Sequence, residues 1–484
     1  LPDAPSQVRI HELRPLTLAE TIQLAEFNSP TLKAAASQVE QAKSTLRAAI
    51  ATWYPTVDLS ANGLPQYFKS YSYRNPDFIP DRVVQTPSGA ATRDGYNERY
   101  GREWRADVNL QVSWDLINPA RVPQIAAARD RFDQAGAAYL IALREMRLEA
   151  QTAYFNLQQA DEGVRIGQAG VKASLVSLRD ARARYNAGVN TKLEVLEAQT
   201  QLARDRNILT TNLGRQNIER RNLAALLDLP QDLTPTAATP SRPLGLWEPS
   251  LEESIVAAYN YREELDQLVL DISINNSQAN ESLAAVQPVL RFVNSTTASR
   301  IEGQNGVTSP SEIDMGDFTY GVQNSTALTA NWRLFDGGRA RAQYRSFKQA
   351  AEESRFNFAS TRDQIRLQVE ESFFGLQTAI QNIDTTANEV LSSRESLRLS
   401  QLRVQAGVGV QRDVVNNQRD LTNAELRYAG AINDYNTRLA QLQRRTGLDA
   451  LVACNVVTLS SIKPEADQHP IPIEPRPLKS ACPR

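Results

Sequence analysis

Arg184-Tyr185-Asn186-Ala187-Gly188-Val189 and Arg403-Val404-Gln405-Ala406-Gly407-Val408 decide how this chain folds. Each hexapeptide sits inside a long heptad-patterned stretch that turns back on itself, Tyr139 to Leu229 in the first case and Phe358 to Leu448 in the second. The two stretches keep one register, 219 residues apart. Before the first turn, Tyr139, Leu143, Met146, Ala150, Ala153, Leu157, Ala160, Val164, Gly167, Val171, Ser174, Leu178, Ala181 and Tyr185 follow at alternating steps of four and three. That is a period near 3.5 residues, expected of helices that supercoil on neighbours. The same positions before the second turn are again mostly apolar or small, with Arg362 the one clear break. Small Ala, Ser and Gly residues allow close helix approach. From Pro123 to Ala187, at about 1.5 Å per residue, the first helix is roughly 100 Å long. A compact soluble domain has no use for that length, whereas a structure crossing an aqueous gap between membranes does.

The returning helix begins at Thr191-Lys192-Leu193-Glu194, read as a capping box. It repeats Val195, Ala198, Leu202, Asp205 and Leu209, and it ends before Pro230. Upstream, Thr17-Leu18-Ala19-Glu20 opens a short helix to Phe27, and a second helix runs from about Pro30 to Trp53. At Tyr54-Pro55 the period changes to two. Val57, Leu59 and Ala61 alternate with Asp58, Ser60 and Asn62; Ala106, Val108, Leu110, Val112 and Trp114 alternate with Asp107, Asn109, Gln111, Ser113 and Asp115. Apolar-out, polar-in alternation suits the wall of a membrane β-barrel, and a half-buried soluble hairpin alternates identically. The order then restarts: Leu251 to Leu265 repeats Leu18 to Leu32, Gln287-Pro288 repeats Tyr54-Pro55, and Trp332 repeats Trp114.

The organisation expected is therefore an irregular segment 1–16 and a first repeat 17–229. The first repeat carries strands at about 56–73 and 103–117 and a hairpin at about 123–229. A Pro-rich linker 230–249 follows. A second repeat, 250–448, carries strands at about 289–300 and 318–335 and a hairpin at about 339–448. A Pro-rich extension 449–484, on the surface or disordered, ends the chain.

Composition excludes other classes. A net charge of −2 leaves no basic footprint for nucleic acid. No run of about 18 apolar residues offers a membrane helix, so any membrane crossing is by strands. The first residue is not Met, and the sequence is read as a mature product whose signal peptide has been removed. His11 and His469 have no partners at ligand spacing, and no cofactor, metal site or catalytic constellation is expected. Cys454 and Cys482 either pair as a disulfide in an oxidising compartment or remain free thiols. Four strands cannot close a barrel, and an open edge in lipid leaves backbone groups unpaired. The strands must be pooled among identical chains: three copies give twelve, and two or four would also close.

Duplicated strand–strand–long helix–turn–helix units, with R-Y-x-x-G and R-V-x-x-G turns followed by Glu194-Val195 and Asp413-Val414, resemble the TolC family of outer-membrane efflux proteins over about residues 17–449. The resemblance implies an α+β membrane protein with an internal two-fold repeat. Its trimer forms a 12-stranded outer-membrane β-barrel, four strands per chain, continued by a long periplasmic α-helical coiled-coil barrel. It implies a passive exit duct for drugs and other small molecules, or for type I protein secretion. The partners implied are outer-membrane lipid, a periplasmic adaptor (membrane fusion) protein and an inner-membrane RND or ABC transporter. The adaptor-contacting turns correspond to Gly188, Val189, Gly407 and Val408, where a plain helix C-cap is the other reading, and both can hold. Of the family's acidic constriction, Asp413 matches one member and Asn416 stands at the second; Glu194 and Glu197 occupy the equivalent places in the first repeat. A ring of this kind favours cations, and N-terminal charge complementing the helix dipole is the alternative for Glu194. The chain departs from the family where its gate uses a Tyr and an Arg, since those positions are Val404 and Gly409; Lys192 or Arg412 is the expected substitute. Trp114 and Trp332 fit an interfacial aromatic belt, or else packing between barrel and tunnel. A trimeric coiled-coil spacer or adhesin with no conducting lumen would account for the heptads, but not for the strands.

Overall fold

A computed structural model describes residues 12–73, 82–86, 89–93, 98–189, 191–230, 232–448 and 451–453. Cys454 and Cys482, like His11 and His469, lie outside the described residues. The chain divides into two units.

The helical unit comprises residues up to Ala42, Arg131–Ile272 and Glu352 onward. Its frame is two hairpins. α3 (Arg121–Asn186) returns as α4 (Lys192–Leu226), and α7 (Arg339–Gln405) returns as α8 (Gln411–Thr446). The 66 and 67 residues of α3 and α7 follow from the uninterrupted heptads, and the seam is where burial falls: Ala150, Leu157, Ala160, Val164, Leu178 and Ala181 are all buried. Arg362 points to solvent, so the break in the pattern costs the seam little. α1 (Leu18–Asn28) carries the expected box: Thr17 Oγ1 accepts from Glu20 N–H, and the Glu20 carboxylate accepts from Thr17 N–H at 2.9 Å. α5 (Leu251–Tyr261) repeats it with Ser250 and Glu253, and α2 (Pro30–Ala51) and α6 (Glu263–Ala284) follow their partners as the sequence repeat requires.

Two expectations need correction here. The segment 1–16 is not irregular throughout, because β1 (Glu12–Leu16) pairs in parallel with β6 (Leu233–Ala237). The 230–249 stretch is therefore no simple linker; it also holds β7 (Gly245–Trp247), antiparallel to β10 (Leu451–Ala453) within the C-terminal extension. Pro15 and Pro235 disguised the first pair. Proline cannot donate to a ladder, but a two-stranded sheet has only edges and tolerates it.

The sheet unit comprises Lys43–Asp130 and Ser273–Ala351. Its four-stranded antiparallel sheet runs in the order β2 (Thr56–Tyr73), β5 (Glu98–Ile117), β8 (Val289–Val307), β9 (Phe318–Asn331). The loop expected between the first two strands holds a small hairpin, β3 (Arg82–Thr86) with β4 (Gly89–Arg93). β8 runs beyond residue 300 because β5 begins at Glu98 and supplies a partner as far as Tyr100. β9 stops at Asn331, short of 335, because Asn331 faces Val289, the first residue of β8, and Pro288 precedes it with no N–H to give.

Register puts Val57, Leu59, Val108, Leu110, Val112, Phe292, Ala298, Val322 and Leu328 on one face. That face also carries polar residues in its second half. Asn294 Nδ2 donates to Thr326 Oγ1 and Asn324 Nδ2 donates to Thr296 Oγ1, both at 2.7 Å, so these groups satisfy one another. Among the described residues no helix is long and apolar enough to cross a membrane.

Candidate functional site at the helical turns

Both turns have the same geometry. Gly188 and Gly407 lie at φ of 74° and 75°, the left-handed region where glycine is free of side-chain strain. In the first, Gly188 N–H donates to Tyr185 O at 2.9 Å and Val189 N–H to Arg184 O at 3.0 Å; in the second, Gly407 N–H donates to Val404 O at 3.2 Å and Val408 N–H to Arg403 O at 3.0 Å. These paired bonds close each helix in a Schellman motif. A Cβ on either glycine would meet nothing, so backbone angle rather than space dictates the residue. The motif leaves Val189 and Val408 as apolar tips, 74% and 70% exposed.

The returning helices start differently from the expectation. Thr191 is the N-cap of α4 but its side chain makes no cap hydrogen bond, so the Thr191–Glu194 box does not form. Val410 caps α8 with no polar side chain at all. Glu194, Glu197 and Asp413 are half-buried and Asn416 is exposed. Among the described residues no side-chain hydrogen bond or ion pair reaches any of the three acids, and neither Lys192 nor Arg412 bonds to them. One chain does not by itself bring the acidic positions together.

Other residues join the two hairpins near the turns. Arg184 Nη1 donates to Val404 O at 3.0 Å, and buried Gln411 Nε2 donates to Ser177 Oγ at 2.7 Å. They border a cavity of about 480 Å³, also lined by Gln201 and Val414. Gly409 admits no larger side chain without movement, since its Cβ would lie 3.0 Å from the main chain of Arg403 and Val404. The only sequence signal for the Arg184 bond was its place in the turn motif, and its partner is a carbonyl that sequence does not mark.

In the sheet unit, Trp114 Nε1 donates to Trp53 O at 2.9 Å and Trp332 Nε1 donates to Val286 O at 3.1 Å. Trp53 and Val286 hold equivalent places just past α2 and α6. Each indole thus ties the end of a strand to the end of a helix while its ring stays partly exposed. Arg121, almost wholly buried, lies 4.3 Å from the Trp53 ring and fixes the same corner in the first repeat.

The family model described as "Outer membrane efflux protein" matches residues 21–228 and 255–448. Outer membrane efflux protein BepC of Brucella suis is 24% identical over 302 residues, 62% of this chain and 62% of its own length. Outer membrane protein TolC of Escherichia coli is 20% identical over 458 residues, 92% of this chain and 84% of its own. The chain thus spans less than two thirds of the first of these relatives. A membrane protein from Pseudomonas aeruginosa of known structure has the same fold, with a TM-score of 0.68, 18% identity, and 89% and 93% of the two chains covered.

Proposed function

Because the chain belongs to the outer membrane efflux protein family, we propose that it is the exit duct of an export assembly. Three copies pool their four-stranded sheets into a twelve-stranded barrel in the outer membrane and their hairpins into a periplasmic helical tube. The observation that carries this reading is the unfinished sheet. Among the described residues no strand pairs with the outer side of β2 or β9, and an open edge in lipid leaves several kcal/mol per unpaired group. Edge-to-edge pairing of β9 with β2 of the next copy removes every such edge.

The exposed tips at Val189 and Val408 are the docking points for a periplasmic adaptor, which links the duct to an inner-membrane RND or ABC transporter. Glu194, Glu197 and Asp413, left unpaired in one chain, come together around the three-fold axis as a negative, cation-binding constriction. The duct itself performs no chemistry. Its cargo is small molecules or secreted protein.

Single-channel current through the purified protein in a planar bilayer tests this. A small conductance, blocked by a divalent cation on the turn side and relieved by Glu194→Ala with Asp413→Ala, is the expected result. Well-inserted protein that never conducts would overturn the duct in favour of a coiled-coil spacer.

A further inference from the structure

The seam of the first hairpin contains a buried acid. Asp205 on α4 is 1% exposed, at the position where the second hairpin has Ala424. Ser174 on α3 bonds one carboxyl oxygen through its hydroxyl, and Gln201 Nε2 donates to the other at 2.9 Å. Both partners are themselves buried. α3 and α8 both pack against it at Gly170, where a Cβ would lie in ordinary contact distance, 3.8 Å from the Asp205 carboxyl carbon and 3.7 Å from Thr422 Oγ1 on α8. The Thr422 hydroxyl is turned away, bonded to Gln418 O at 3.0 Å.

No positive charge offsets the carboxyl. The nearby charged residues on the three helices are Arg204 and Arg206 on α4, Lys172 on α3, and Arg419, Asp420 and Glu425 on α8. All four basic side chains face solvent; Arg419 bonds Asp420, and Glu425 pairs with Arg394 of α7. None bonds Asp205. Burial therefore pushes its pKa up, and the Ser174 and Gln201 bonds only partly oppose that.

We propose that Asp205 is a proton-controlled pin in the first hairpin. With its proton in place α4 lies closed on α3 and α8; when the proton leaves, the carboxylate draws in water and the seam opens locally. This goes beyond the duct reading and does not depend on it. The sign follows from linkage. A carboxyl whose pKa is raised in the packed state favours packing below the ordinary carboxylate range, and that preference is lost as pH rises through the raised value. Across this window the opening equilibrium grows about tenfold per pH unit.

Hydrogen exchange on the full-length protein in detergent, from about pH 4 to about pH 9 and corrected for intrinsic rates, reads that equilibrium. Peptides covering 198–209 should lose protection about tenfold per unit through the window, while peptides covering 369–380 of α7, in the seam of the second hairpin, stay level in the same sample. Asp205→Asn, which keeps the shape and can keep both hydrogen bonds, should abolish the slope. The proposal is overturned if Asp205→Asn retains the slope, if the wild-type protein shows none, or if the 369–380 segment of α7 rises in parallel. The comparison between the two segments needs no variant, so it stands even if Asp205→Asn fails to fold.

Discussion

The two hairpins share their length, turn geometry and seam register, yet they are fastened by different chemistry at the ends away from the turns. α4 closes on Leu223 and Leu227, both fully buried in a cluster with Leu16, Tyr154, Phe155 and Leu157. At the equivalent places α8 keeps Leu442 but puts Thr446 where α4 has Leu227, and it adds Arg444 and Arg445 in the last turn. Arg444 bonds Glu264 of α6 at 2.9 Å and Glu145 of α3 at 3.1 Å, while Arg445 donates to Gln368 O and Ser372 Oγ of α7, both at 2.7 Å. Both hairpin ends are hydrophobic plugs, Leu442 packing in a buried cluster with Val369, Phe373 and Leu376, and the second adds an ionic clasp. Divergence after duplication has kept what the backbone requires, the glycine at +74° or +75° and the helix length, and has freed the means of attachment.

Removing one half of each fastening exposes the difference most strongly. Arg444→Ala leaves Glu264 with Arg262 as its remaining partner and removes the bond to the mostly exposed Glu145, and should cost about 1–3 kcal/mol, the usual worth of hydrogen bonds to charged groups. Leu227→Ala leaves an apolar cavity and should cost about 2–4 kcal/mol. Urea denaturation of the detergent-solubilised protein ranks them. A clasp variant no weaker than wild type would mean that Arg444 spends as much on desolvation as it gains from its partners.

Acid separates the hairpins next. Burial opposes ionisation of Glu264, but bonding to Arg262 and attraction to Arg262 and Arg444 hold its pKa at about 2, below its ordinary value of 4.5. A lowered carboxyl stabilises the fold above the unfolded value and loses that contribution as pH falls from about 4.5 towards 2, at most about 3 kcal/mol. Melting of wild type against Arg262→Ala over this range should show a smaller acid loss in the variant, because less of the depression that holds Glu264 ionised remains to be lost. The leucine plug has no such dependence, and Asp205 gives the first hairpin the opposite sign, weakening as pH rises.

How much of this a sequence discloses depends on the range of the contact. The seam, both turn glycines and the Thr17–Glu20 box are local patterns, legible because three, four or seven residues decide them. β1 with β6 was not, since its pairs lie 221 residues apart (Glu12 with Leu233) and prolines interrupt both strands. The clasp was missed because Arg444 looks like any basic residue complementing a helix C-terminus; only the tertiary fold brings Glu145 and Glu264 to it. Asp205 holds a heptad position like any other seam residue, because periodicity reports where a side chain points and not what burial does to its charge. The Thr191–Glu194 box shows the reverse error, a correct motif whose side chain makes no bond. The acidic positions 194, 197, 413 and 416 are not joined within one chain, so any ring they form depends on symmetry.

The smallest expected effect bears on the one fastening the repeats do share. Trp114→Phe and Trp332→Phe each delete a single hydrogen bond to a carbonyl while keeping most of the ring, so each should cost about 1 kcal/mol. Trp332 is the more exposed, 61% against 41%, and among the described residues its corner lacks a counterpart to the Arg121–Trp53 contact. If the indoles serve as ties, both substitutions should lower the urea midpoint by similar amounts, in detergent and in bilayers alike. If they serve as an interfacial belt, the loss should appear only in bilayers, where the indole N–H reaches the headgroup layer, and Trp332→Phe should then show the larger change.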